Sequence, residues 1–318
     1  MDLGGTNIKV ATVVVHRDPA SAPNIVHTAQ TPTLAGEGPE AVAERMVAIA
    51  NETIASDGDV NAVGVGVPGL FDYQTGEIVF FTNLPGAWEG YPLRKHLAQA
   101  LAKPVTLIND ARAFTLAEGT AGAGRGSHTL ACITLGTGVG GGIMVDGKLH
   151  FGAFGIGGEI GHQTVAPEGP RCGCGNPGCL EAMTRAAVVA ANAGRDSIED
   201  VLTGFKRGDQ RCVDAMRRAA DYMAIGLANV LTVIGPDKVV IGGGVAEAGD
   251  LLLDLIRDAV RSRVTLVPPE AVQIVAAELG PIAGAIGAAI AAQGSLVGDA
   301  RFLVGEIPSA ELRRTELS

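Results

Sequence analysis

Apolar and polar positions along the chain follow two different periods, which predicts that strands alternate with helices. Continuous apolar runs such as VNAVGVGVPG and PVTLIND are typical of buried strands. Segments such as GPEAVAERMVAIANETIAS instead place apolar residues on one face at helical spacing. Further strands are predicted in VATVVVH, KVVIGGG and VQIVAAEL, and further helices in EGYPLRKHLAQALA, AMRRAADYMAIGLANVLTVIG, LLLDLIRDAVRSR and from about Ile282. This order predicts an α/β protein whose ligands bind beyond the carboxyl ends of its strands.

Two stretches combine a strand, a glycine turn that carries threonine, and a second strand. They are DLGGTNIKVATVVVH and TLACITLGTGVGGGIMVDGKLH, and the repeated pattern predicts two related α/β lobes. Glycine permits positive φ and close backbone approach, so successive N–H groups in such turns can bind phosphate oxygens. Thr6 and Thr137 add hydroxyl donors, and Lys9 adds a positive charge. Together with VVIGGGV, the turns favour nucleotide binding over ordinary hairpins, although neither is a Walker or Rossmann motif.

Composition narrows the class of protein. The chain has 318 residues, 47% of them hydrophobic, which is enough for one large domain or two smaller ones. A formal net charge of −10 and the lack of a long basic run disfavour nucleic-acid binding. The start MDLGGTNIKV does not resemble a signal peptide, and the longest apolar run, AGAIGAAIAAQGSLVG, is predicted to be too short to span a bilayer. We therefore expect a soluble, cytoplasmic protein with neither a nucleic-acid nor a membrane partner.

Asn109 and Asp110 follow a predicted strand, where polar side chains of α/β proteins face their ligands. Transfer of phosphate to an alcohol needs a base near the hydroxyl group, and Asp110 is our candidate. Asn109 offers both a donor and an acceptor to a sugar hydroxyl. The alternative is that Asp110 caps the helix ARAFTLAEG, and position alone does not separate the two roles. Asp2, at the first glycine turn, is expected to fix the loop or to hold magnesium through water.

Three of the five cysteines lie close together and suggest a metal site. The pattern H-x9-C-x-C-x4-C is formed by His162, Cys172, Cys174 and Cys179. A Cys3His set completes the tetrahedral shell of a structural zinc ion and leaves no position for water. A disulfide is disfavoured in the cytoplasm and would leave one cysteine over. Cys132 and Cys212 are predicted to be buried packing residues.

Carboxylates and amides accompany this pattern. Glu159 precedes His162 in GGEIGH, Glu181 follows Cys179, and Asn83 lies in the loop NLPGAWEGYPL. Two carboxylates and two amides near one cleft would hold a polyol by paired hydrogen bonds. A ligating histidine usually directs its other ring nitrogen to a neighbour, so His162 is also expected at the substrate. The metal would then shape the pocket without taking part in the chemistry.

From Asp2 to about Ala292 the chain resembles the ROK family of bacterial sugar kinases (repressor, open reading frame, kinase) of the actin/hexokinase-like ATPase superfamily. DLGGTNIK resembles its first phosphate loop and LGTGVGGG its second. VPG with TNLPGAW resembles its sugar loop, IND its catalytic Asn-Asp pair, and IGGGV its adenosine loop. The most specific match is GGEIGH followed by CGCGNPGCLE, which resembles the zinc-and-sugar signature of the family.

The resemblance implies transfer of the γ-phosphate of ATP, with Mg²⁺, to the 6-hydroxyl of a hexose, with Asp110 as the base. Glucose is the expected sugar, because the set of Glu159, His162 and Glu181 resembles that of glucokinases. The implied sugar-binding residues are Gly69, Asn83, Asn109, Asp110, Glu159, His162 and Glu181. The implied nucleotide-binding residues are Gly4, Gly5, Thr6, Asn7, Lys9, Gly136, Thr137, Gly138, Gly243 and Gly244.

The resemblance also implies two ribonuclease H-like α/β domains with a sugar cleft between them. We expect a small N-terminal domain over residues 1–108, joined by a C-terminal helix at about 281–295. A large domain over 109–280 would carry the zinc site, and 296–318 would form a polar tail. A homodimer or homotetramer is usual in the family.

Other interpretations stay open. The acceptor could be another hexose, such as N-acetylmannosamine, allose, fructose or an amino sugar, and the donor could be polyphosphate, although IGGGV favours a nucleotide. A sugar-responsive repressor of the same family needs an N-terminal helix-turn-helix. It is disfavoured because the first phosphate loop begins at residue 2. A scaffold role would leave Asp110 and both phosphate loops unexplained.

Overall fold

The computed structural model describes residues 1–16, 23–81, 84–152, 155–268 and 271–298. The chain divides into two compact units. Unit 1 contains Met1–Gly122, Phe151–Ile156 and the described residues 281–298, and unit 2 contains Ala123–His150 and Gly157–Gly280. Residues 109–122, which we expected in the large domain, therefore belong to unit 1.

The main sheet of unit 1 has five strands at its described positions. They are β1 (Asp2–Leu3), β2 (Asn7–Val14), β3 (Asn24–Pro32), β4 (Val63–Val67) and β7 (Val105–Asn109), whereas β5 (Leu70–Phe71) and β6 (Ile78–Phe80) form a separate ribbon. The spatial order is β3-β2-β1-β4-β7, with β1, β2 and β3 antiparallel and β1, β4 and β7 parallel. The loops that follow the three parallel strands therefore meet at one edge of the sheet.

The helices described in unit 1 are α1 (Pro39–Asp57), α2 (Leu93–Leu101), α3 (Asp110–Ala121) and α9 (Ala283–Val297). Helix α9 packs on α3 and β4 because glycines let their backbones meet. A Cβ atom at Gly287 would overlap the carbonyl oxygen of Ala113, and one at Gly64 would overlap that of Ala288. This close packing explains why α3 belongs with unit 1.

One described segment, Gly280–Val297, is long and apolar enough to cross a membrane by length and composition alone. This finding corrects our expectation that the apolar run is too short. Half of the segment (50%) is buried inside the protein, and the core helix of a soluble protein passes the same test. Its contacts with α3 and β4 identify α9 as a core helix of unit 1.

Unit 2 repeats the strand order of unit 1. Its strands are β8 (Thr129–Leu135), β9 (Val139–Val145), β10 (Lys148–Leu149), β11 (Lys238–Gly242) and β12 (Gln273–Ala276), in the order β10-β9-β8-β11-β12. Strands β8, β9 and β10 are antiparallel, and β8, β11 and β12 are parallel. The shared order confirms the two α/β lobes that the repeated glycine-turn pattern predicted.

The helices described in unit 2 are α4 (Leu180–Thr184), α5 (Ala186–Ala193), α6 (Ile198–Lys206), α7 (Gln210–Val233) and α8 (Asp250–Arg261). Their apolar faces form one core with the sheet. Cys132 in β8 and Cys212 in α7 are both 0% exposed, which confirms that they are packing residues.

Candidate functional site

The first glycine turn joins β1 to β2 in unit 1. The Gly4 N–H donates to Asn7 O at 3.0 Å, and Thr33 holds the turn by donating its hydroxyl to Gly4 O at 2.6 Å and its N–H to Thr6 O at 2.8 Å. With these carbonyl groups engaged, Gly5 and Thr6 lie exposed at the tip. The turn is thus a fixed backbone loop whose tip is open to a ligand.

Two charged residues lie beside this turn. The Lys9 ammonium donates to Pro281 O at 3.0 Å, which ties β2 to the start of α9. Burial raises the pKa of Asp2 above its usual 3.8, and the charge of Lys9 opposes that shift. A Cβ atom at Gly284 would lie 2.8 Å from the Asp2 carboxylate. Asp2 is therefore half-buried on β1 and packs against α9.

Asn109 and Asp110 stand at the carboxyl end of β7 in different roles. Asn109, 7% exposed, caps α3 by accepting from the Arg112 N–H at 3.2 Å. Asp110 is the first residue of the helix, and its carboxylate accepts from the Ala111 N–H at 2.8 Å. The helix cap is therefore Asn109, which corrects the alternative that Asp110 is the cap.

Gly69 lies in the loop after β4, next to Asn109. The Asn109 side-chain amide donates to Gly69 O at 3.3 Å. Gly69 has φ +110°, and a Cβ atom there would lie 3.1 Å from the Phe81 Cα. Glycine fits both conditions, so it lets this loop pack against the backbone at Phe80 and Phe81. Asn83, the other predicted residue of the sugar loop, lies outside the described residues.

The second glycine turn joins β8 to β9 in unit 2. The Gly136 N–H donates to Gly138 O at 2.9 Å, and Thr137 is exposed at the tip. Its location between antiparallel strands matches that of the first turn in unit 1.

The loop after β11 lies beside this second turn, because β8 and β11 are parallel neighbours with Gly242 paired to Thr134. Gly243 has φ +90°, and a Cβ atom there would lie 2.6 Å from the Leu135 nitrogen. Gly244 is exposed and starts a short 3-10 helix, Gly244–Ala248. Two glycine loops of unit 2 thus meet at the carboxyl ends of adjacent strands.

The four predicted metal ligands come together in unit 2. The donor atoms of His162, Cys172, Cys174 and Cys179 all lie within 4.8 Å of one another. The Sγ atoms of Cys174 and Cys179 are 3.6 Å apart, and Cys172 Sγ lies 3.6 Å from His162 Nδ1. Tetrahedral zinc, with bonds of about 2.3 Å to sulphur and about 2.0 Å to nitrogen, separates its ligand atoms by about 3.5–3.8 Å. The donor set and its spacing therefore fit a zinc ion.

Burial disfavours negative charge on the thiols of this cluster. Burial raises the pKa of Cys172 to about 12, and burial also raises the pKa of Cys179. Thiolates in such surroundings need a compensating cation, which a divalent metal supplies. The local chain is tightly folded, since Cys172 and Asn176 are joined through their backbones at 2.9 Å and Thr164 bridges Cys179.

Glu159 and Glu181 occupy different places around this cluster. Glu159 is half-buried and directly precedes the short 3-10 helix Ile160–His162. Glu181, in α4, accepts through Oε2 from the Val139 N–H at 2.9 Å, and its Oε1 lies 3.4 Å from Cys172 Sγ. Sequence reasoning missed the contact with Val139, because the partner is a backbone group 42 residues away.

The chain is similar over most of its length to known proteins of one family. The ROK family model matches residues 1–295. A glucokinase of Thermotoga maritima is 35% identical over 314 residues, which cover 91% of this chain and 95% of that protein. The ROK hexokinase of Thermus thermophilus is 35% identical with a TM-score of 0.80, covering 93% of this chain and 98% of the other. A ROK family glucokinase of Streptomyces griseus, solved with glucose and AMPPNP, is 32% identical with a TM-score of 0.79, covering 92% and 97%.

Proposed function

We propose that this chain phosphorylates glucose at the 6-hydroxyl. The chain belongs to the ROK family and is an ATP-dependent hexose kinase. Its fold is of the predicted actin/hexokinase-like α/β class. Support for the sugar comes from the relatives named glucokinase and from the glucose in the Streptomyces griseus structure. The observation that carries the chemistry is the start of α3, where Asn109 takes the capping role and Asp110 does not.

Asp110 is proposed as the general base. As the sugar hydroxyl attacks the γ-phosphorus of ATP, its proton passes to the Asp110 carboxylate, the bond between phosphorus and the bridging oxygen breaks, and ADP leaves. The Ala111 N–H fixes the direction of this carboxylate by donating to Oδ1. A positioned base of this kind accelerates a reaction by about 10²–10⁴-fold. The Mg²⁺ that accompanies ATP supplies charge neutralisation on the phosphates, and Asp2 is our candidate to hold it through water.

The glycine turns are proposed to bind the nucleotide. In unit 1 the candidates are Gly4, Gly5, Thr6, Asn7 and Lys9, and in unit 2 they are Gly136, Thr137, Gly138, Gly243 and Gly244. The exposed tips of both turns support this assignment, since backbone N–H groups and threonine hydroxyls are the donors that phosphate oxygens accept from. The contact of Lys9 with Pro281 O places its charge beside the first turn.

The sugar is proposed to bind Asn109 and Asp110 of unit 1 and Glu159, His162 and Glu181 of unit 2, with Gly69 and Asn83 as further candidates. His162 approaches the cysteines through Nδ1, so Nε2 is the nitrogen left to face a hydroxyl.

A structural zinc ion would be held by His162, Cys172, Cys174 and Cys179, and analysis of purified protein should find one zinc per chain. We also expect a cytoplasmic homodimer or homotetramer, which sedimentation measurements would test.

The deciding experiment measures phosphoryl transfer from Mg-ATP to a panel of hexoses. We expect glucose to have the highest kcat/KM, and Asp110→Asn to lower kcat by about 10²–10⁴-fold. Asp258→Asn, whose exposed carboxylate only meets Arg261 on α8, is the matched control and should keep full activity. Turnover with no hexose would refute the kinase assignment. A preference for N-acetylmannosamine, allose, fructose or an amino sugar would refute glucose as the acceptor but leave the kinase assignment intact. Assays with polyphosphate in place of ATP test which phosphate donor the protein uses.

A further inference from the structure

Three contacts, all within unit 2, hold the backbone of the second glycine turn. The Val139 N–H donates to Glu181 Oε2 at 2.9 Å. The carbonyl oxygen of Val139 packs against Gly161, where a Cβ atom would overlap it. At the other end of the turn, Gly136 O accepts from the Ala186 N–H at 2.9 Å. Residues 136–139 are therefore fixed from both ends.

Two of these contacts, those of Gly161 and Glu181, come from residues beside the candidate metal ligands. Gly161 directly precedes His162, and Glu181 follows Cys179, which is 0% exposed. The Cys172 thiol lies 3.4 Å from the other oxygen of the same Glu181 carboxylate. One carboxylate thus contacts the cysteine cluster with Oε1 and the glycine turn with Oε2. This side chain therefore contacts both the cluster and the turn.

We propose that Glu181 is a positioning residue for the nucleotide, which couples the metal cluster to the glycine turn 136–139. The inference rests on the proposed function, in which this turn binds phosphate groups of ATP. The Val139 N–H points to Glu181 and is not a phosphate donor, so the carboxylate acts on the shape of the turn. Loss of the metal should therefore weaken nucleotide binding even when no sugar is present.

The test measures the binding of AMPPNP with Mg²⁺ by calorimetry in the absence of sugar. Any contact of Glu181 with sugar then does not affect the measured affinity. Glu181→Met removes the acceptor of a charge-assisted hydrogen bond and is expected to weaken binding about tenfold. Glu181→Gln keeps an acceptor oxygen for Val139 and should remain within about threefold of the wild type. Glu168→Gln, which changes an exposed carboxylate between His162 and Cys172, is the control and should bind as the wild type does.

Metal removal is the second arm. Chelation of the wild-type protein should weaken AMPPNP binding by about the same factor, and it should weaken binding by Glu181→Met less than binding by the wild type, since both changes act on the Glu181 contact. Hydrogen exchange at the Val139 amide should become faster in both cases. Equal binding by wild type and Glu181→Met, or unchanged wild-type binding after chelation, overturns the coupling. If Glu181→Met does not fold, the chelation arm decides alone. Failure of the wild type to bind AMPPNP would instead overturn the proposed function.

Discussion

Replacement of Arg112 by methionine is expected to destabilise unit 1, because this side chain joins three of its segments. Arg112 lies in the first turn of α3 and is 1% exposed. One terminal nitrogen donates to the Tyr73 hydroxyl at 2.6 Å, and the other donates to Gly155 O. The guanidinium carbon lies 5.3 Å from the centre of the Phe151 ring. Arg112 thus fastens the segment Phe151–Ile156 and the loop after β5 to α3.

The magnitude follows from what methionine keeps and what it loses. Methionine retains most of the apolar contact, but Tyr73 and Gly155 lose a charged hydrogen-bond donor. Each such bond contributes about 1.5–3 kcal/mol, and a cation over an aromatic ring about 0.5–2 kcal/mol. Removal of a buried charge recovers part of its desolvation cost, so we expect a net loss of about 3 kcal/mol. Tyr73→Phe removes one of the acceptors and should cost about 1.5 kcal/mol.

Tryptophan fluorescence reports the unfolding of unit 1, the part of the protein that contains Arg112. The chain has one tryptophan, Trp88, which is 2% exposed in unit 1. Urea titrations of wild type, Arg112→Met and Tyr73→Phe give the free energies of unfolding by linear extrapolation. Arg112→Lys keeps the charge without the planar fork and should fall between wild type and Arg112→Met. A loss below about 1 kcal/mol for Arg112→Met, or equal losses for Arg112→Met and Tyr73→Phe, would refute the reasoning.

Two further predictions concern single contacts. Gly287→Ala places a Cβ atom on a carbonyl oxygen of α3, so it should destabilise unit 1 by about 2–3 kcal/mol in the same titration, whereas Gly36→Ala, with open space around it, should not. The Thr129 and His128 backbone N–H groups lower the pKa of Asp237 below its usual 3.8. The stability that ionised Asp237 contributes to the folded protein is therefore present above pH 3.8. It is lost as the pH falls through the pKa that Asp237 has in the folded protein. Asp237→Asn should lower the thermal midpoint at pH 7, and a difference that persists at the acid end would contradict this assignment.

The parts of the fold that were predicted from sequence are those with a strong local pattern. The hairpins around both glycine turns and the long helices α1, α7 and α8 are confirmed. Strand β3 was not predicted, since its positions are only half-buried or exposed and show no core face. The helices α4, α5 and α6 were not predicted. The unit to which α3 belongs depends on glycine contacts with α9, which helical periodicity does not contain.

The candidate site also contains some features that were predicted from the sequence and others that were not. The metal ligands were predicted from residue type and spacing, and the structure brings all four together. The choice between Asn109 and Asp110 as helix cap could not be made from sequence, because both are good capping residues at adjacent positions. The hydrogen bond between Glu181 and Val139 gave no signal at all, since any residue offers a backbone N–H. Sequence thus identifies the groups able to do chemistry, and the fold decides which partners they take.

The glycines of the loops in unit 2 separate into two kinds, and the difference bears on function. Gly243 is required by the fold, because its φ is +90° and its Cα packs against the chain at Leu135. Neither reason applies to Gly136 or Gly244, where a side chain would meet nothing within 4 Å and the backbone does not need positive φ. Glycine at such positions leaves room for a ligand to come close to the backbone, although Gly36, outside the proposed site, is equally open. What distinguishes Gly136 and Gly244 is that their loops meet at adjacent strand ends, so the two open positions together leave room for the proposed nucleotide.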